Sequence, residues 1–151
     1  MHQEAFDEIK AIISKETMLH YPNYKLPFLI FLHASDMQLG AHASKTQATN
    51  IDYVNFEEVL KQDHCPALLN SRKLNNYQIN YTVIDKELLS IADALVEHRS
   101  ILCGEKIFAS SDHKNITHLN TTHVSTRAQR RRSLLEDFGC TVFHVPGEKM
   151  N

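Results

Sequence analysis

The chain has 151 residues, of which 42% are hydrophobic and 23% charged, and its formal net charge is −2. That length and apolar content suit one domain with its own core and are too short for two ordinary ones. They exclude a chain disordered throughout, and nothing in the charge balance demands a membrane surface.

The first predicted element is a helix over residues 3–19, where Phe6, Ile9, Ile12, Ile13 and Leu19 approximate a helical stripe. The segment YPNYKLP then breaks and turns the chain. Phe28 to His33 is an apolar run without charge and reads as a strand buried on both faces. Leu39 to Lys45 is a second strand, in which Gly40 and Ala41 leave room for close backbone approach. Residues 46–64 are polar and read as either a long loop or a stretch with a short helix. Pro66 to Asn70 is a third strand, and SRKLNNYQ after it reads as a solvent-facing connection.

Thr82 is the predicted N-cap of the main helix, with Asp85 as an imperfect capping-box partner. Leu88, Ile91, Ala92, Leu95 and Val96 form its apolar face, and Gly104 fits the helical C-terminus. Lys106 to Ser111 is a fourth strand. Ile116–Leu119 and Arg127–Phe138 read as helix, separated by a Thr-rich segment, and Gly139 caps the second piece. Thr141 to Val145 is the last strand, ended by Pro146-Gly147. Three consecutive strands followed by alternating helices and strands point to an α/β mixed sheet with helices on its faces.

The three cysteines, Cys65, Cys103 and Cys140, are far apart and show no CxxC spacing. They read as small apolar side chains in a reducing setting, and zinc is the weaker alternative. The polar N-terminus MHQEAFDEIK is no secretory signal, and the longest apolar run, Leu26 to Leu32, is too short to cross a bilayer. An intracellular location, cytoplasmic or nuclear, is expected, with no membrane partner and no small-molecule substrate.

Two carboxylates carry the chemistry. Glu87 stands at the head of the main helix and Asp112 at the end of the fourth strand. Acids delivered from a helix start and a strand end suit a divalent ion acting on a phosphodiester. Each also has an ordinary reading. Glu87 could be a first-turn acid favoured by the helix dipole, worth about 0.3–1 kcal/mol. Asp112 could cap the turn that follows it, and His113, taken alone, is a surface histidine. Arg127, Arg130 and Arg131 share one helical face at i, i+3, i+4 and could meet a phosphate backbone; Arg72 and Lys73 are a second candidate contact. The competing reading of these basic residues is a solvated face, and it is preferred for Arg132.

Six segments, in order, resemble one family. FDEIKAIISKETMLHYPNYKLPF resembles the lead-in after a polymerase connection. HASDMQLGA resembles TDASD-x-x-LGA, and SRKLNNYQINYTVIDKELLSI resembles SRKL-x-x-x-x-x-NY-x-x-x-EKELLAI. SSDHKNITHL resembles TDHKNLTYL, RAQRRRSLLEDFG resembles R-x-x-RWRLLLEEFG, and VPGEKMN resembles the start of PGEKNxxADALSR. The chain thus resembles the RNase H domain of reverse transcriptases from gypsy-type LTR retrotransposons, with residues 1–25 as lead-in and 26–151 as the domain.

The resemblance implies an RNase H-like fold, a five-stranded mixed sheet with flanking helices. It implies an endonuclease that cleaves RNA in RNA–DNA hybrids with two Mg2+ (or Mn2+) ions, within a polyprotein that also carries polymerase and integrase. It maps the helix acid onto Glu87, the second strand acid onto Asp112 and the first strand acid onto His33, with His113 beside the second acid as in the family and expected to contact nucleic acid. The fourth acid would lie in the ADALSR segment, past Asn151. Arg131 stands where the family's RWR has tryptophan. Neutral imidazole is a poor magnesium ligand and imidazolium repels the ion, so the resemblance implies weak metal binding and an inactive or impaired nuclease. The rival expectations are a domesticated, non-catalytic module that binds nucleic acid or protein, and a pseudogene fragment.

Overall fold

The computed structural model of the chain describes residues 2–16, 23–48, 50–52, 55–62, 64–117 and 125–146. In chain order the elements are α1 (His2–Glu16), β1 (Phe28–Ala34), β2 (Gln38–Lys45), α2 (Phe56–Leu60), β3 (Cys65–Lys73), a 3-10 turn (Gln78–Asn80), α3 (Val83–Glu97), α4 (Arg99–Leu102), β4 (Ile107–Ser111), α5 (Lys114–Thr117), α6 (Thr126–Asp137) and β5 (Cys140–His144). The strands form one sheet in the order β3-β2-β1-β4-β5. β1 runs antiparallel to β2 and β2 to β3, whereas β4 is parallel to both β1 and β5.

The apolar run of β1 is explained by its place at the centre. Phe28, Ile30 and Leu32 face a core built with Leu88, Ile91 and Leu95 of α3 and Ala128, Leu135 and Phe138 of α6 and its end. Leu29 faces the other way, onto a smaller core with Phe56 and Val59 of α2 and Phe143 and Val145. A strand covered on both sides has no polar face to show. Residues 46–64 therefore do contain a short helix, and it is anchored by two buried side chains.

α3 is fixed at its N-terminus by Thr82, whose hydroxyl oxygen accepts the Asp85 N–H at 3.2 Å. Its rotation is set by Ser90, whose hydroxyl donates to the Gly40 carbonyl at 3.0 Å, at the predicted close approach to β2. Gly104 and Gly139 both adopt left-handed φ, +87° and +65°, where the chain leaves α4 and α6.

Several expectations are corrected. α1 is described over His2–Glu16, where Phe6 and Ile9 are exposed rather than packed; residues 17–19 of the predicted helix, Leu19 among them, lie outside the described residues. β3 continues to Lys73 because its antiparallel pairing with β2 runs on to Gln38↔Lys73, so Ser71, Arg72 and Lys73 belong to the strand and not to the connection. Val96 is 54% exposed although its neighbours Ala94 and Leu95 in the same turn are buried, so it lies off the covered face of α3. The turn after β4 is helical over Lys114–Thr117, and Leu119 lies outside the described residues. Among the described residues no helix is long and apolar enough to cross a membrane.

Candidate metal centre

The parallel pairing of β1 and β4 reaches Phe31↔Ser110. Two residues on stand His33, still within β1, and Asp112, just past the end of β4, so both lie toward the same end of the sheet. His33 is placed here by its backbone, which pairs with Gly40.

α3 crosses this end and brings Glu87 to it. Glu87 is 8% exposed. Buried Ser111 donates its hydroxyl to Glu87 Oε2 at 2.6 Å. The Ser111 oxygen in turn accepts the His113 backbone N–H at 3.1 Å, which turns His113 back toward the carboxylates. Its Nδ1 stands 2.8 Å from Glu87 Oε1 and 2.5 Å from Asp112 Oδ1. His144 of β5 places Nε2 3.1 Å from the Asp112 carbonyl oxygen. One donor atom each from Glu87, Asp112 and His113 lie within 4.8 Å of one another.

Electrostatics follow from this crowding. Burial pushes the Glu87 carboxyl up to about 7, and the hydrogen bond with Asp112 adds to the shift, while Ser111 and His113 oppose it. Asp112 is held below the ordinary carboxylate range, chiefly by the hydrogen bond with Glu87 and then by His113, against its own burial. Burial lowers the His113 imidazole, but the hydrogen bond with Asp112 and the charges of both carboxylates outweigh it, and the net shift is upward. The three groups share protons as one unit. Two carboxylate oxygens and an imidazole nitrogen around one point are a donor set that fits a divalent cation.

Asp36 does not join them. It lies fully exposed on the bend after β1, 3.4 Å from Lys86 Nζ.

The basic residues divide. Arg72 is engaged by Asp93 of α3, with Nε–Oδ2 2.5 Å and Nη2–Oδ1 3.0 Å, and also donates to Gln78 at 3.0 Å. Arg131 has a side chain only 14% exposed. It donates to the Asp85 carbonyl at 3.0 Å and stands 3.8 Å from the Asp85 carboxylate. The guanidinium of Arg131 lies 5.2 Å from the Tyr81 ring centre, and that of Arg127 lies 4.4 Å from it. The expected trio of phosphate-facing arginines is therefore corrected: Arg131 turns inward, because it occupies the buried stripe Ala128, Arg131, Leu135, Phe138. Arg127 and Arg130 are exposed on α6, and Lys73 is exposed at the end of β3. Arg132 pairs with Glu136 at 3.0 Å, one turn along the surface of α6.

The sequence reading missed Ser111 and Tyr81, and it gave Asp85 only as the capping partner of Thr82. Ser111 is signalled only by standing next to the strand acid. Asp85 is a hub, accepting hydroxyl hydrogens from Thr82 at 3.1 Å and Ser125 at 3.2 Å besides its contacts with Arg131.

A family model, the RNase H-like domain found in reverse transcriptase, matches residues 23–138. The chain is 29% identical over 147 residues to the Retrovirus-related Pol polyprotein from transposon 297 of Drosophila melanogaster, covering 97% of this chain and 12% of that one. It is 27% identical over 150 residues to the corresponding polyprotein from transposon gypsy of the same organism, covering 97% and 13%. The chain thus spans about an eighth of the length of these curated relatives. Its fold is similar to that of the foamy viral protease-reverse transcriptase in complex with an RNA/DNA hybrid, with a TM-score of 0.59 and 18% identity over 95% of this chain and 19% of the other.

Proposed function

The chain belongs to the RNase H-like domain family of reverse transcriptases, and from that premise we propose that it engages RNA–DNA hybrids as part of a retrotransposon polyprotein with polymerase and integrase, but hydrolyses them poorly or not at all. The observation that carries the reading is the convergence of Glu87 and Asp112, from α3 and from the end of β4, within 4.8 Å. A divalent ion, Mg2+ or Mn2+ by family, would be held between these two carboxylates and would supply positive charge to a phosphodiester's oxygens. The residues of the chain do the rest. Ser111 orients Glu87 by bonding Oε2, so that Oε1 faces the cluster. His144 steadies the carbonyl of Asp112 at the strand end.

Impairment follows from position 33. The family resemblance puts an acid there, and this chain has histidine. An oxygen-seeking ion such as magnesium gains nothing from imidazole at that place. Binding to nucleic acid would rest on Arg127, Arg130 and Lys73, which are exposed.

The experiment is incubation of the full chain with a labelled RNA–DNA hybrid, in Mg2+ and in EDTA. Salt-sensitive binding that is stronger in Mg2+ than in EDTA, without cleavage in either, is the expected result. Magnesium-dependent turnover abolished by Glu87→Gln would overturn the assignment of impairment. Binding unchanged in EDTA would also favour a second reading, a non-catalytic nucleic-acid-binding module, for which the exposed basic residues of α6 speak.

A further inference from the structure

We infer that His113 is the third ligand of a single-ion site and that it tilts this site toward a transition ion, zinc or manganese, at the expense of magnesium. The inference rests on the reading that Glu87 and Asp112 hold a divalent ion, and it adds the nitrogen to their oxygens.

The geometry is that of a ligand triangle. Nδ1 of His113 is 2.8 Å from Glu87 Oε1 and 2.5 Å from Asp112 Oδ1, so one imidazole nitrogen faces both carboxylates at once. Neighbouring ligands around an octahedral ion with bonds of about 2.1 Å stand about 3.0 Å apart. The contacts here are a few tenths of an ångström shorter. Admission of an ion therefore needs only a slight spreading of the side chains that meet at His113 Nδ1.

The supports around the triangle favour this role. The His113 backbone N–H is tied to Ser111 Oγ, and the same hydroxyl occupies Glu87 Oε2. Glu87 is left with Oε1 for the cluster, and His113 with its ring turned inward. Supports of this kind fix the direction of metal ligands.

No other acid among the described residues completes an oxygen cage. Asp36 is drawn away to Lys86, and Asp85 is held by Thr82, Ser125 and Arg131. Asp93 is held by Arg72. Magnesium sheds water reluctantly and prefers oxygen in near-ideal octahedra. Zinc accepts imidazole nitrogen readily, and manganese tolerates it.

Almost any N/O site binds zinc above manganese, so the order of ions alone proves nothing. What counts is how that order depends on His113. The test is calorimetric titration of the full, EDTA-stripped chain with Zn2+, Mn2+ and Mg2+, for the unaltered chain, His113→Asn and Glu87→Gln. His113→Asn is expected to raise the zinc Kd about tenfold or more and to change the magnesium Kd far less, so that the ratio between them narrows. Glu87→Gln is expected to abolish binding of all three. Pulsed EPR of the Mn2+-loaded chain should show coupling to an imidazole nitrogen, and the coupling should persist in His33→Asn.

Magnesium and zinc affinities that fall together in His113→Asn, or that do not change, would overturn the inference and leave the Glu87–Asp112 site standing. Missing nitrogen coupling would do the same. Zinc binding that survives Glu87→Gln would place the ion elsewhere and overturn it. Absence of any divalent binding would sink the Glu87–Asp112 reading itself.

Discussion

Glu87 carries a cost at neutral pH. Its carboxyl is buried and titrates at about 7 rather than 4.5. Between those values the native chain keeps a proton that the unfolded chain has lost, so stability falls as pH rises from 4.5 to 7 and levels off above. His113, raised from 6.5, acts in the same direction: its stabilisation is full below 6.5 and is lost as pH climbs through its native value. Asp112, lowered from 3.8, acts oppositely, and its stabilisation disappears in acid below that value. Melting temperatures across pH 4 to 9, measured without metal, should therefore decline from mildly acidic to neutral pH. Glu87→Gln should flatten the decline and melt higher than the unaltered chain at pH 8. A melting temperature that climbs from pH 4.5 to 7 would refute the burial argument. Glu87 and Asp112 were both legible in the sequence, one from its place in DKELLSI and the other from the end of SSDHK. The approach of His113 to both carboxylates was not, because a backbone hydrogen bond to Ser111 holds it there, and residue order does not encode that bond.

At the scale of elements, the start of α3 is clipped to the start of α6. Thr82 caps α3, Ser125 caps α6 by accepting the Ala128 N–H at 3.2 Å, and Asp85 receives hydroxyls from both caps. Arg131 and Arg127 close the clip over Tyr81. Thr82→Ala should cost about 1 kcal/mol in a denaturant titration. Arg131→Ala should cost about 1–3 kcal/mol by removing a partner of buried Asp85, and should leave the salt dependence of hybrid binding unchanged. Arg130→Ala should do the reverse: unchanged stability, and a log–log salt slope smaller by about one. If Arg131→Ala lowers the salt slope as much as Arg130→Ala does, Arg131 is a phosphate contact after all. The buried place of Arg131 could have been read from the spacing Ala128, Arg131, Leu135, Phe138, a helical stripe with one polar member. The three-arginine face was the more conspicuous pattern and pointed outward.

The whole molecule places its chemistry at one end of a sheet whose centre is β1. The order of strands and helices was legible, since a strand buried on both faces, two left-handed glycines and a threonine cap each leave a local mark. The extension of β3 was not, because it depends on how far β2 runs beside it, and the exposure of Val96 was not, because it depends on the rotation of α3 against the core. The account as a whole requires positions 33, 87 and 112 to share one point in space. The most direct measurement is the shift in melting temperature on adding Mg2+ to His33→Asp, beside the unaltered chain and the double variant His33→Asp/Glu87→Gln. A clear rise in His33→Asp, little in the unaltered chain and none in the double variant is the predicted result. A shift that is absent from His33→Asp, or that persists when Glu87 is replaced, would contradict it.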